Sequence, residues 1–202
     1  MRCSIVRIVI SVLAFFLTGE LLHAGDIEGS VSAIKKKYLP STIIYLDSVK
    51  GEFAPPQEHA LMDQKNLQFH PHVLPILLGT TVDFLNSDDV AHNVFSPDEV
   101  AGKFNLGTWP TGKIKSYKFD KKCDKVCSAV MLCNVHPEME GYIVVMLNPY
   151  YAKADEEGKF KIRSVPAGKY TLKVWHPNLN ADAQTVNVTA DSSVTVLISL
   201  KK

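Results

Sequence analysis

The sequence predicts an all-β protein assembled from two small sandwiches, and three observations carry that expectation. Short runs alternate apolar and polar residues with a period of two, most cleanly across Lys113–Phe119 and at Val82, Phe84 and Asn86, as strands with one buried face do. Glycine and proline punctuate those runs at turn positions, as at Gly79, Gly107, Pro110 and Gly112. After Asn148-Pro149 the character changes, and a second set of runs rich in Val and Thr begins.

The chain opens with Arg2 and Arg7, an apolar run from Ile8 to Leu22, and His23-Ala24-Gly25. This is the layout of a secretory signal peptide, with cleavage expected after Ala24. Leu22 is not the ideal residue three positions back, so a neighbouring cleavage site or a retained anchor are the alternatives. The run is short, and Gly19 and Glu20 interrupt it, whereas a span needs about 20 apolar residues. Residues 1–24 are therefore read as a signal for export to the periplasm, with no stable membrane span after cleavage. Of 22 basic and 21 acidic residues, the signal removes Arg2, Arg7 and Glu20 and leaves 20 of each. A neutral balance argues against a nucleic-acid partner, which needs a basic surface.

In order, residues 25–60 hold two β-like runs, Asp26 to Ile34 and Ser41 to Val49, separated by a Lys-rich turn ending at Pro40. Gly51 to Glu58, with Pro55-Pro56, reads as a linker or wide loop. Residues 61–147 form the next unit. Two or three strands are expected from Leu61 to Asn86, an irregular stretch from Gly102 to Gly112, and strands at Lys113–Phe119, Ser128–Leu132 and Gly141–Leu147. Residues 148–202 form the last unit, with turn-and-strand patterns at Asp155–Arg163 and Val165–Trp175 and two alternating runs between 183 and 200.

One stretch carries chemistry. Cys133-Asn134-Val135-His136-Pro137-Glu138-Met139 sets a thiolate, an imidazole and a thioether at Cys-x-x-His-x-x-Met spacing. A second imidazole is available upstream at His92. Two His, one Cys and a weak axial Met make a trigonal set suited to copper. The candidate metal ligands are thus His92, Cys133, His136 and Met139, with one copper per chain. Buried Cys and Met are commonly core residues; it is the four together, at the ends of expected strands, that favour the metal.

Cysteine arithmetic agrees with export. Cys3 leaves with the signal, Cys133 is claimed by the metal, and Cys123 and Cys127 remain to pair as a disulfide in an oxidising compartment. The rival is a second soft-metal or redox site made by that pair. His70 and His72 flank Pro71 and lie two apart, so they would share one face of an extended chain. They are read as ordinary strand or loop histidines rather than a surface metal site, and His59 and His176 have no usable ligand spacing.

From about residue 60 to 147 the chain resembles the cupredoxins, the blue copper proteins, and the Cys-x-x-His-Pro-x-Met loop is of the amicyanin type. The strand Gly79-Thr80-Thr81-Val82-Asp83-Phe84-Leu85-Asn86 leading to the first histidine shares that likeness. The resemblance implies a Greek-key β-sandwich with a mononuclear type 1 copper. It also implies that Asn93 ties the two ligand loops together through its side-chain amide. The tail resembles carboxypeptidase regulatory-like (transthyretin-like) modules, in Gly158-Lys159-Phe160-Lys161-Ile162 and Pro166-Ala167-Gly168-Lys169-Tyr170-Thr171-Leu172. Residues 26 to 50 look like the opening hairpin of that module, which would make the copper domain an insertion. The alternative is that they extend the cupredoxin sheet.

The resemblance implies an electron carrier rather than an enzyme, exchanging single electrons with redox proteins such as a c-type cytochrome or a dehydrogenase. Too few paired histidines are present for further copper centres, and no second cysteine lies between Cys133 and His136 for a dinuclear site. The other readings are a copper-delivery or copper-sequestering protein, and a structural or glycan-associated module. By the same resemblance electrons would pass through His136, in an apolar patch drawn from Phe95, Pro97, Trp109 and Pro137. The lysines from Lys113 to Lys125 would either steer an acidic partner or form a solvated edge.

Overall fold

The computed structural model describes residues 24–202; the expected signal segment, bar Ala24, lies outside the described residues. The described residues are nearly all β, with sixteen strands in four sheets. Among the described residues no helix is long and apolar enough to cross a membrane.

One sandwich uses both ends of the chain. β1 (Ala24–Ser32) lies between β13 (Lys159–Pro166), antiparallel, and β16 (Ser193–Ser199), parallel. The facing sheet runs β12 (Tyr151–Lys153), β2 (Ile43–Asp47), β14 (Gly168–Trp175), β15 (Gln184–Val188). β1 and β2 are thus not a hairpin. They belong to different sheets, and the chain turns the corner through a 3₁₀ helix, Lys36–Ser41, with Pro40 inside it. The lysine-rich turn fits there because Lys35, Lys36 and Lys37 are exposed while Leu39 is the buried residue. Ile27, Leu46, Ile162, Leu172 and Ile198 fill the space between the sheets. At Gly29 an added Cβ would sit 1.9 Å from the Val196 carbonyl oxygen, so only glycine lets β1 lie this close to β16. Lys161 reaches Asp26 and Glu28 across the β1–β13 pair, and Lys173 reaches Asp47 across β14–β2. Such solvent-screened pairs add little; the apolar interior holds the layer.

The other sandwich is built from residues 60–146. One sheet runs β4 (Gln68–His70), β3 (Ala60–Lys65), β6 (Thr81–Asn86), β9 (Ile114–Lys118). The other runs β5 (Val73–Leu77), β11 (Glu140–Met146), β10 (Cys127–Leu132), β7 (His92–Ser96), β8 (Phe104–Trp109). Met62, Val82, Phe84, Met131 and Ile143 are among the fully buried side chains between them. Leu61–Asn86 therefore carries four strands. The stretch expected to be irregular contains β8, because pairing with β7 organises residues whose own alternation is weak. Gly107, at φ 70°, permits the turn-like backbone within that strand.

The two sandwiches share a small core. Ile43 of β2 packs with Val73, Val144 and Met146, all buried, and Trp175, Tyr142 and Val126 close around them. Lys153 spans the joint, its Nζ donating to the Val73 carbonyl at 3.2 Å, and burial holds its amine below the usual lysine value.

Candidate metal centre

β6 sets up the first imidazole. Its face of Val82, Phe84 and Asn86 is buried, so a polar amide at Asn86 must be satisfied internally. The Asn86 Nδ2 donates to the carbonyls of Val90 (2.8 Å) and Trp109 (3.1 Å), and its Oδ1 accepts the Asp88 N–H (3.0 Å). Those bonds shape the bend between β6 and β7 and deliver His92 as the first residue of β7, wholly buried. β10 ends beside β7, with Leu132 opposite Phe95, and Cys133 follows directly.

Three donor atoms converge. The Cys133 Sγ lies 3.9 Å from His92 Nδ1 and 4.0 Å from His136 Nδ1, and the two nitrogens are 3.0 Å apart. Among the described residues this is the group of His, Cys, Asp or Glu placed to hold a metal ion. A triangle with those sides has a centre roughly 2 Å from every corner, the reach of metal–nitrogen and metal–sulfur bonds at about 2.0–2.3 Å. Met139 is 1% exposed, shares the apolar cluster of Cys133, and donates its N–H to the His136 carbonyl at 3.0 Å. Thiolate, two imidazoles and a nearby thioether form a donor set that fits copper.

The polar surroundings orient these candidate ligands. Asn93 donates its backbone N–H to the Cys133 sulfur at 3.4 Å. Its side chain spans the two ligand segments: Oδ1 accepts the Asn134 N–H at 3.2 Å, while Nδ2 donates to Asn105 and Gly107. Asp88 is a residue the spacing argument missed. Its Oδ2 meets His92 Nε2 at 2.8 Å, and the carboxylate also accepts the N–H groups of Asn66 (2.5 Å) and Leu67 (2.9 Å). Asn66 and Leu67 both have left-handed backbones, φ 55° and 57°, which turns successive N–H groups toward one anion. Burial pushes the Asp88 carboxyl up, but those hydrogen bonds outweigh it and hold it below the usual carboxylate value. With Nδ1 facing the centre, the Nε2–H of His92 points at Asp88, so the carboxylate selects the ligating tautomer. The sequence signal was an acid four residues before the histidine.

Cys123 and Cys127 are joined by a disulfide, S–S 2.02 Å, and Cys133 is free and buried. Trp109 is 3% exposed and so is a core residue rather than part of a surface patch; Lys115 lies over its ring at 5.2 Å. Phe95 and His136 are half-buried, Pro97 and Pro137 exposed, and Val135 is 48% exposed. His70 and His72 face separate backbone carbonyls, those of Lys65 and Glu140. His59 lies 2.9 Å from Asp83, and His176 faces the Tyr38 carbonyl.

Comparison with known proteins gives three findings. The model of one family, polysaccharide lyase family 4, domain II, matches residues 148–196, a different family from the one the tail's sequence pattern suggests. A search of curated proteins finds no match. Among solved structures, similar chains are cupredoxins at low identity. The Cu(I) form of an amicyanin point mutant is 21% identical, with a TM-score of 0.40, over 49% of this chain and 95% of that one. A reduced amicyanin mutant is 20% identical, with a TM-score of 0.40, over 52% and 98%. A purple cupredoxin from Nitrosopumilus maritimus is 26% identical, with a TM-score of 0.36, over 43% and 98%.

Proposed function

We propose that this protein is an exported, periplasmic type 1 copper protein that carries single electrons between redox partners and has no substrate site of its own. The observation that supports it best is the convergence of His92 Nδ1, Cys133 Sγ and His136 Nδ1 beside the buried Met139. Bound copper would supply the one-electron chemistry. The chain's own residues do the rest. Cys133 binds as thiolate and both imidazoles bind neutral, so binding releases protons. The interior closes around three of the ligands, with His92, Cys133 and Met139 at 3% exposure or less, and water is excluded. Only His136 is half-exposed, which makes its outer ring edge the conduit. A docking face of Phe95, Pro97, Val135 and Pro137 would receive a partner through a small transient contact, with a c-type cytochrome or a dehydrogenase as the partner class. Titrating the full mature chain with copper(II) tests the reading. One equivalent should produce an intense visible copper–thiolate band. A colourless chain that holds copper(I) tightly would mark a copper-delivery or sequestering protein instead.

A further inference from the structure

The segment leading into β10 has few anchors. Phe119 is buried and donates its N–H to the Thr80 carbonyl at 3.0 Å, and β10 begins at Cys127. Among the described residues, 120–126 form no strand or helix and make no backbone–backbone hydrogen bond. What holds the stretch is the Cys123–Cys127 disulfide, an exposed ion pair from Lys121 to Glu99, and the packing of Val126.

The disulfide joins residues only four apart. Closing so short a loop restricts the unfolded chain little, because the entropic effect grows with loop length. The bond therefore matters by what it positions. Cys127 packs on the interior of the 60–146 sandwich, on the same face of β10 as Ala129 and Met131. Val126, the residue before it, packs instead on the core of the joint, which has four buried side chains, Ile43, Val73, Val144 and Met146. Tyr142 and Trp175 meet across that joint with ring centroids 5.6 Å apart. One small covalent loop thus ties the two cores together.

The bond is also within reach of a reductant. Both cysteines are half-buried, and Cys123 lies outside every strand. Lys122 and Lys125, beside the pair in sequence, are exposed, and nearby cations favour the thiolate forms through which exchange proceeds.

We propose that Cys123–Cys127 is a redox clamp on the joint, opened by a dithiol reductant. A thiolate of the reductant attacks Cys123 Sγ, the S–S bond breaks, and Cys127 leaves as thiolate. The reductant's second thiolate then attacks its own sulfur in the mixed disulfide and releases Cys123. Two electrons and two protons pass to the protein, and the reductant ends as a disulfide. The freed loop lets Val126 leave the joint, and the two sandwiches loosen while each keeps its own interior. The clamp does not depend on the copper reading.

The test treats the metal-free full mature chain with dithiothreitol and follows quenching of tryptophan emission by acrylamide. Trp109 is 3% exposed and shielded, so the quenching reads the half-buried Trp175 at the joint. Alkylation and mass measurement should show the free thiols rising from Cys133 alone to include Cys123 and Cys127. Quenching should rise by about twofold as the half-buried ring becomes solvated by local opening, with the far-ultraviolet β signal unchanged. Cys123→Ser with Cys127→Ser should match the reduced parent, and Val126→Ala should raise quenching with the disulfide intact. A disulfide that dithiothreitol leaves closed in the folded chain overturns the clamp. So does an opened disulfide, or a Val126→Ala chain, whose quenching equals that of the oxidised parent. Loss of the β signal on reduction overturns it as well, by making the bond a staple for the whole fold.

Discussion

His92 and Asp88 meet Nε2 to Oδ2 at 2.8 Å, on the side of the ring away from Cys133. The same carboxylate holds the Asn66–Leu67 turn through two backbone N–H groups, so one acid fixes both the ring and the turn beside it. Asp88→Asn keeps the shape but removes the charge that raises the basicity of the imidazole. We expect copper to bind about 10–100-fold more weakly, with the reduction potential moved upward because the oxidised ion loses the more. Competition titration and voltammetry read both; an unchanged potential and affinity would reduce Asp88 to a brace for the turn.

Cys133→Ser should abolish the visible band and leave a folded chain, since the thiolate makes the colour while the apolar core holds the sandwich. Met139→Gln should keep the band and shift the potential, as an axial ligand tunes rather than anchors. Absorbance, circular dichroism and voltammetry check the pair. A Cys133→Ser protein that remains blue would remove Cys133 from the centre.

A charge placed on the half-exposed histidine face should impede electron exchange without altering the centre. Pro137→Glu and Phe95→Lys are expected to slow self-exchange at unchanged potential, measured by line broadening in mixed redox samples. Exchange as fast as in the parent would move the conduit away from His136.

His176 sets a pH dependence in the other sandwich. Burial holds its ring below the ordinary histidine value, against the opposing bond to the Tyr38 carbonyl, and His72 lowers it further. Its Nδ1 accepts the N–H groups of Asn178 (3.0 Å) and Leu179 (3.1 Å), so the folded state needs the neutral ring. A folded value below the unfolded value means the unfolded chain takes the proton first. The stability this histidine contributes is therefore complete above about pH 6.5 and is lost as pH falls toward its folded value. His176→Asn, whose Oδ1 replaces Nδ1 as acceptor, should flatten that part of the profile in urea unfolding between pH 7 and 5. A slope there equal to the parent's would refute the assignment.

How much of this was legible in the sequence depended on how local each feature is. The candidate ligand loop is legible because seven consecutive residues supply three donor types, and the all-β class because strand alternation is a short-range pattern. Asp88 was not legible as a ligand support: its partners Asn66 and Leu67 lie about twenty residues upstream, and only the parallel pairing of β3 with β6 brings them close. β8 escaped because Gly107 and the outward-facing Asn105 and Thr108 blur its alternation, while its order comes from β7. Trp109 could not be placed from sequence, since its burial follows from facing His92 across that same pair. The β1–β2 corner looked like a hairpin because two strands with a short polar connection read alike whether they share a sheet or face each other.

The pairing of β1 with β13 and β16 has a consequence for how the chain is made. β1 leaves the ribosome early, but Ala24 pairs with Pro166 and Ser32 with Ser199, so its partners are synthesised last. Until then both of its edges are unpaired, in the state most open to mispairing with other chains. The strands of residues 60–146 have all emerged by that time and can close on one another. A message cut short after residue 150 would therefore release a chain with a completed sandwich of residues 60–146 and an open, adhesive N-terminal strand.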